Sequence, residues 1–340
     1  MMATSGKLRF GLWYDFRNPP AWKRPYDQLY GEIFDQIAWG EQNGFEDIWL
    51  SEHHFIEDGY SPSLLPIAAA IAARTKKIRI GTSVMLMPFH NPVRVAEDGA
   101  TVDVISGGRF ELGVGVGYKV EEFESFVVSS KERGARTNEG LEIIRRLWEG
   151  ETLTFKGKYY EVNKAKLTPE PIQKPRPPLW GGGFTPPAIR RAAKYTDGYI
   201  GISITKSLCE QYVTALQKVG KPTTNLRLAG GHMWMIPSTD PEKTWNEAAD
   251  HVIYQINAYA AWSEKAGMPL FPSIRDKAHL REVGILNVVD VETCIKTIRA
   301  SAAEAPLTHY YSWTLPPGLP AKWAQQHLEL FASKVIPAFR

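Results

Sequence analysis

"DIWLSEHHFIEDGYSPSLLPIAAAIAARTKKIRIGTSVMLMPF" runs from residue 47 to residue 89, and its reading decides the fold. Residues 47–54 open it as a strand rich in branched and aromatic side chains. Residues 64–77 follow as a helix that ends in basic residues, which suit the negative C-terminal end of its dipole. Residues 78–89 return to strand. The same strand–helix–strand rhythm extends outward in both directions. Strands are predicted over 8–16, 109–117, 179–183, 198–203, 226–237 and 308–314. Helices fall between them, at 26–45, 92–106, within 131–149, in "PPAIRRAAKY", and at 241–266 and about 290–304. A hairpin-like excursion (152–162), a proline-rich stretch (167–178) and an irregular section (267–289) interrupt the pattern.

Eight strands alternating with helices predict an α/β fold, a (β/α)8 TIM barrel with insertions. It forms one domain over residues 1–340, with its active site at the C-terminal mouth. A doubly wound open sheet is the rival, but "GLWYDFRNPP" after the first strand is nothing like a GxGxxG fingerprint.

Composition narrows the functional classes. The chain is 44% hydrophobic and 23% charged, as in folded globular proteins, and its net charge of +3 argues for neither nucleic acid nor an anionic membrane. No apolar run is long enough to cross a bilayer, and the N-terminus enters a strand without a signal-peptide core. Cys209 and Cys294 read as separate buried thiols. The expected location is the cytoplasm.

In a barrel, chemistry comes from the strand ends. Strand one delivers Trp13, Tyr14, Asp15 and Phe16; strand two, Glu52, His53 and His54; strand three, Ser83 to Pro88. Strands four and five deliver glycines 113, 115 and 117 and glycines 181–183. Strand seven offers His232 and Trp234, and strand eight His309, Tyr311 and Trp313. Such a mouth suits a large flat ligand approached closely by backbone. In "LWGGGFTPPAIRRAAKY", Thr185 is placed to cap a helix with Pro186 at its first position. The free N–H groups there make an anion site, or the glycines only make a tight turn. Arg133 and Arg136 either reach a phosphate or stay on the surface. Strand alternation sends His53 and His54 to opposite sides, one to the mouth and one under a loop. Both are structural, or one acts on a bound ring. Adjacent histidines lack the i, i+4 spacing of a zinc helix, and no metal is expected.

Taken together, "SEHHF", "GTSVMLMPFHNPVRVAEDGATVDVISGGRFELGVGVGY" and "LWGGGFTPPAIRRAAKYTDG" resemble the bacterial luciferase-like family of flavin-dependent monooxygenases over nearly the whole chain. The resemblance implies a barrel that binds reduced FMN (FMNH2) at its mouth. His53 matches the family's catalytic histidine near the reactive edge of the flavin, with Glu52 beside it at the cofactor. Ser83 and Val84 match a non-prolyl cis peptide under the ring. Gly182, Gly183, Phe184 and Thr185 match the phosphate-binding turn, joined by Arg136. Gly115 stands where the luciferases carry a reactive cysteine on strand four, and Val116 replaces an arginine, so no light emission is expected. Trp13, Phe16, Trp234 and Trp313 are candidate substrate-pocket walls. The implied reaction adds O2 to reduced flavin as a C4a-hydroperoxide and oxygenates a small, mostly apolar substrate, an aldehyde or ketone. A separate flavin reductase supplies FMNH2, and the implied assembly is a homodimer. Hydride transfer with coenzyme F420 in the same superfamily is the alternative, as is a non-catalytic flavin-binding barrel.

Overall fold

The computed structural model describes residues 7–340. The first six residues, into which the single-domain and N-terminal readings extend, lie outside the described residues. Eight parallel strands form the frame: β1 (Arg9–Tyr14), β2 (Asp47–Leu50), β3 (Arg79–Thr82), β4 (Phe110–Gly115), β5 (Leu179–Gly182), β6 (Gly198–Ile200), β7 (Leu228–Gly231) and β8 (His309–Tyr311). Each pairs with the next, and β8 returns to β1 through Arg9 opposite His309, so the sheet closes on itself. Parallel neighbours require crossovers, and closure leaves no exposed edge. The crossovers are helical: α1 (Tyr26–Gln42), α2 (Leu64–Arg74), α3 (Pro92–Ser106), α4 (Val120–Ser125), α5 (Arg133–Trp148), α6 (Pro186–Tyr195), α7 (Lys206–Lys218), α8 (Pro241–Lys265), α9 (Lys277–Val283), α10 (Val291–Glu304) and α11 (Ala321–Leu330). Local chemistry sets their ends. The Asn91 side chain accepts the Val93 and Arg94 N–H groups ahead of Pro92, and Gly107 closes α3 with φ 69°.

Large rings fill the barrel. Trp49 and Trp180 meet edge to face with centroids 5.6 Å apart. Glycines make the room: a Cβ on Gly81 would sit 2.3 Å from the Trp49 ring, and one on Gly198 would sit 2.4 Å from Trp180. The Trp180 indole donates to Glu111, which also pairs with Arg79 and Arg227. Both cysteines are free and buried. Among the described residues no helix is long and apolar enough to cross a membrane.

Three segments differ from the sequence reading. The strand expected at 226–237 is two: β7 stays in the barrel, while Trp234–Pro237 pairs in parallel with Leu286–Val289. A side chain from the segment after β8 breaks the ladder there. The Met235 N–H donates to Ser312 Oγ, and the Met233 carbonyl accepts the Trp313 N–H. The section 267–289 therefore holds α9 and a strand. Strand three ends at Thr82, and Met85–Leu86 rejoins β4 after a cis Ser83–Val84 peptide, the bond the resemblance implied. The 152–162 excursion is an antiparallel hairpin, Leu153–Lys156 against Glu161–Ala165.

A Cβ at Gly113 would fall 2.0 Å from the Thr82 carbonyl oxygen, a backbone atom inside the closed sheet. Gly113→Ala should therefore cost about 2 kcal/mol or more, read as a lowered urea midpoint at unchanged m-value. An unchanged midpoint would mean that the two strands separate freely there.

Candidate active site

The chain leaves β2 in extended form, and its side chains diverge as alternation predicts. His53 turns inward, its ring 4.9 Å from Tyr60 and 5.0 Å from Trp262 between centroids, with Tyr118 and Tyr259 also edge-on to it. His54 turns outward beneath Phe126, 4.8 Å away. Two buried carboxylates divide these histidines between them. Glu122 Oε1 accepts from His53 Nδ1 and from the His54 backbone N–H, each at 2.8 Å. Glu52 Oε1 accepts from His54 Nε2 at 2.7 Å and from His90 Nε2 at 2.8 Å. Burial pushes the Glu52 carboxyl up, but the two imidazoles outweigh it and hold it at about 2. Burial depresses His90, and the Glu52 charge reverses that and raises it. The ligand atoms of Glu52, His54 and His90 lie within 4.8 Å of one another, the spacing of a metal cluster. Glu52 Oε1 already takes both imidazole N–H groups, so the trio stands as a hydrogen-bonded unit.

A cavity of about 1080 Å³, its open mouth included, lies over these residues at the C-terminal strand ends. It brings together Trp13, Glu52, His53, Ser83, Val84, Gly115, Gly182, Gly183, Phe184, Thr185 and Trp313. Trp13 and Trp313 stack with centroids 4.1 Å apart and planes 6° from parallel. Val84 stands between the ends of β4 and β5: a Cβ on Gly115 would meet it at 2.5 Å, and one on Gly182 at 2.8 Å. The glycines thus let one apolar side chain form a broad floor. Gly183 takes φ 116°, a backbone open to glycine, and its carbonyl accepts the Tyr199 hydroxyl at 2.8 Å. Thr185 occupies the N-cap of α6 as expected, but its side chain makes no capping bond; Pro186 and Pro187 carry no N–H and the Ile189 N–H is bonded to the Thr185 carbonyl, so the donor left for an anion in the first turn is the Ala188 N–H, beside the Phe184–Thr185 backbone. A flat ring system with a phosphate tail fits this arrangement of floor and donors.

Three predicted site residues stand elsewhere. Phe16 has φ 59°, which breaks the alternation of β1 and packs the ring against Tyr30 at 4.6 Å, 1% exposed. Trp234 lies behind Trp313, 5.8 Å away, with its indole donating to Gln255. Arg136 lies over the Tyr159 ring of the hairpin and bonds Glu132. Its neighbour Arg133 is nearer the rim, touching the Met268 sulfur at 3.9 Å. Sequence reasoning missed Tyr60, Tyr118 and Tyr259 as walls, and Met268, Leu270 and Phe271 from the irregular section. The tyrosines carried no local signal.

Because Glu52 is depressed from 4.5 to about 2 in the folded protein, its stabilisation is present above pH 4.5 and is lost as pH falls toward 2. Glu52→Gln should lose about 3 kcal/mol at pH 7, with the gap to the parent closing below pH 4.5. Denaturant unfolding at a series of pH values measures this; a gap independent of pH would contradict the ionic assignment.

Residues 8–284 match the family model of the luciferase-like monooxygenases. The oxygenase component of flavin-dependent trigonelline monooxygenase from Acinetobacter baylyi is 25% identical over 92% of this chain and 90% of its own length. Other curated relatives match over shorter stretches. An F420-dependent glucose-6-phosphate dehydrogenase from Microbacterium testaceum is 34% identical over 56% of this chain. The chain spans 60% of that protein, and 51% of a Sinorhizobium fredii protein to which it is 35% identical. Among solved structures, monooxygenase RslO1 from Streptomyces bottropensis superposes with a TM-score of 0.85 at 22% identity, covering 98% of this chain and all of that one. The oxygenating constituent of 3,6-diketocamphane monooxygenase from Pseudomonas putida, in complex with FMN, gives 0.76 at 18% identity, covering 97% and 98%. Both structures share the fold. The chain belongs to the luciferase-like monooxygenase family.

Proposed function

We propose that the protein is the oxygenase component of a two-component, flavin-dependent monooxygenase. It takes reduced FMN from a separate reductase and uses O2 to oxygenate a small, mostly apolar substrate such as an aldehyde or ketone, without light emission. The observation that carries this reading is one cavity in which an apolar floor at Val84, the Gly183–Thr185 turn leading into α6 and His53 converge. The near-complete match to a flavin-dependent oxygenase component supports it. When bound, reduced flavin supplies the electrons and the site of oxygen activation. The chain's own residues do the rest. Val84 and the backbone of Gly115 and Gly182 bear the ring, and Gly183, Phe184 and Thr185 hold the phosphate through backbone N–H groups. The stacked Trp13 and Trp313, with Tyr60, Tyr118 and Tyr259, exclude water from the reacting face. His53 Nε2 accepts or returns a proton at the substrate edge.

A second reading is hydride transfer with F420, favoured by the 34% identity to an F420-dependent dehydrogenase. A homodimer working in the cytoplasm is the proposed setting; Phe55 and Val127, apolar and exposed beside the mouth, support an assembly that covers them. Elution from gel filtration at monomer size would contradict it.

Anaerobic titration with reduced FMN and, separately, reduced F420, followed by admission of air, separates the cofactors. The monooxygenase reading expects FMNH2 binding and slow, protein-protected reoxidation. Preference for F420 with no oxygen consumption would move the protein to hydride transfer. Under the same conditions His53→Ala should bind FMN within a few-fold of the parent and oxygenate substrate about 100-fold more slowly. Equal rates would remove His53 from the chemistry.

A further inference from the structure

Glu122 lies 69 residues beyond His53, on the short helix α4 and on no barrel strand, yet its side chain is fully buried against the inward histidine. We propose that Glu122 is the positioning residue of the site: it fixes His53 in the tautomer with the proton on Nδ1 and thereby presents Nε2 as the proton-accepting atom to the cavity. The proposal rests on the reading of His53 as the group that works at the reacting edge.

The argument is one of donors and acceptors. An ionised carboxylate only accepts. With Glu122 Oε1 2.8 Å from Nδ1, a ring protonated on Nε2 alone would set two lone pairs against each other. The proton therefore sits on Nδ1 in the neutral ring. The same oxygen accepts the His54 N–H at 2.8 Å, so the carboxylate is tied to the backbone that carries the ring and cannot swing away from it. The His53 N–H is held in turn by the Ser61 carbonyl at 3.4 Å. Among the described residues nothing in the protein bonds His53 Nε2, and the ring lines the cavity.

Other charged groups near His53 are engaged elsewhere. Glu52 is taken by His54 and His90, and Lys119 Nζ points at the His54 carbonyl, 3.4 Å away. The Arg17 guanidinium lies behind the Tyr60, Tyr259 and Trp262 rings and pairs with Asp58. Tyr60, Tyr118 and Tyr259 face the ring edge-on with phenols that burial raises above their ordinary range, so they stay neutral. Glu122 is thus the carboxylate that meets the imidazolium when Nε2 takes a proton. A base oriented by a third group is the general logic of an activated proton acceptor.

The competing account is that Glu122 only pins the loop through the His54 N–H. Glu122→Gln separates the two, because the amide oxygen still accepts both N–H groups while the charge is gone. Nitrogen-15 NMR of the histidine rings in the free parent protein should show His53 protonated on Nδ1. In Glu122→Gln oxygenation should slow about 10-fold with the substrate KM unchanged, because the charge that meets the imidazolium is gone while both N–H groups keep their acceptor. Finding the parent His53 protonated on Nε2, or an unchanged oxygenation rate in Glu122→Gln, would overturn the proposal. The parent spectrum decides the tautomer even if the variant fails to fold. Failure of the flavin reading would appear in the cofactor titration and leave these spectra unchanged.

Discussion

Two tryptophans inside one ring of eight strands impose the constraint on which the rest depends. A small parallel barrel has room for few large side chains. Trp49 and Trp180 occupy that room only because Gly81 and Gly198 lack the carbons that would strike them. The rings form a solid layer beneath the mouth, so the strand ends above it must hold their ligand from the rim. There the same steric matching recurs, with Val84 fitted between Gly115 and Gly182. Large side chain against missing side chain is how this sequence makes first a core and then a floor.

Above the floor, electrostatics sort the histidines. Glu52 binds His54 and His90 into one unit, Glu122 binds His53, and the two carboxylates share no imidazole. A buried carboxylate without partners would take up a proton or destabilise the fold. Each instead accepts through Oε1 from a different part of the chain: Glu52 from His90, which follows strand three, and Glu122, on α4, from His53 after β2. The loops over the mouth are thereby joined to one another by charge-assisted hydrogen bonds. This gives the inward histidine a fixed orientation, although it lies beyond the last residue of β2.

Much of this was legible in the sequence, and the failures have physical causes. Alternation of strand and helix gave the closed barrel because parallel strands have no other short way to connect. Period two separated His53 from His54, and the run of glycines before Thr185 marked the turn at α6. Period two reports a face but no depth, however. Trp13 and Trp234 both stand near strand ends, and only packing decides that one lines the cavity and the other lies behind Trp313. Phe16 was misplaced by a single positive φ. The 226–237 strand broke because Ser312, from the segment after β8, supplied a side-chain hydroxyl to the Met235 N–H, a partner that no local pattern reveals. Glu122 was invisible for the same reason: "VEEFES" reads as an exposed acidic turn until folding carries it to His53.

The account's central claim is that the mouth of this barrel seats a flavin over Val84 with its phosphate at the start of α6. A crystal structure of the protein loaded anaerobically with reduced FMN tests it most directly. The account predicts the isoalloxazine on Val84 with one edge toward His53 Nε2, and the phosphate on the backbone of Gly183, Phe184 and Thr185. A ring bound outside this cavity, or a phosphate held at Arg136 on the hairpin side, would contradict it.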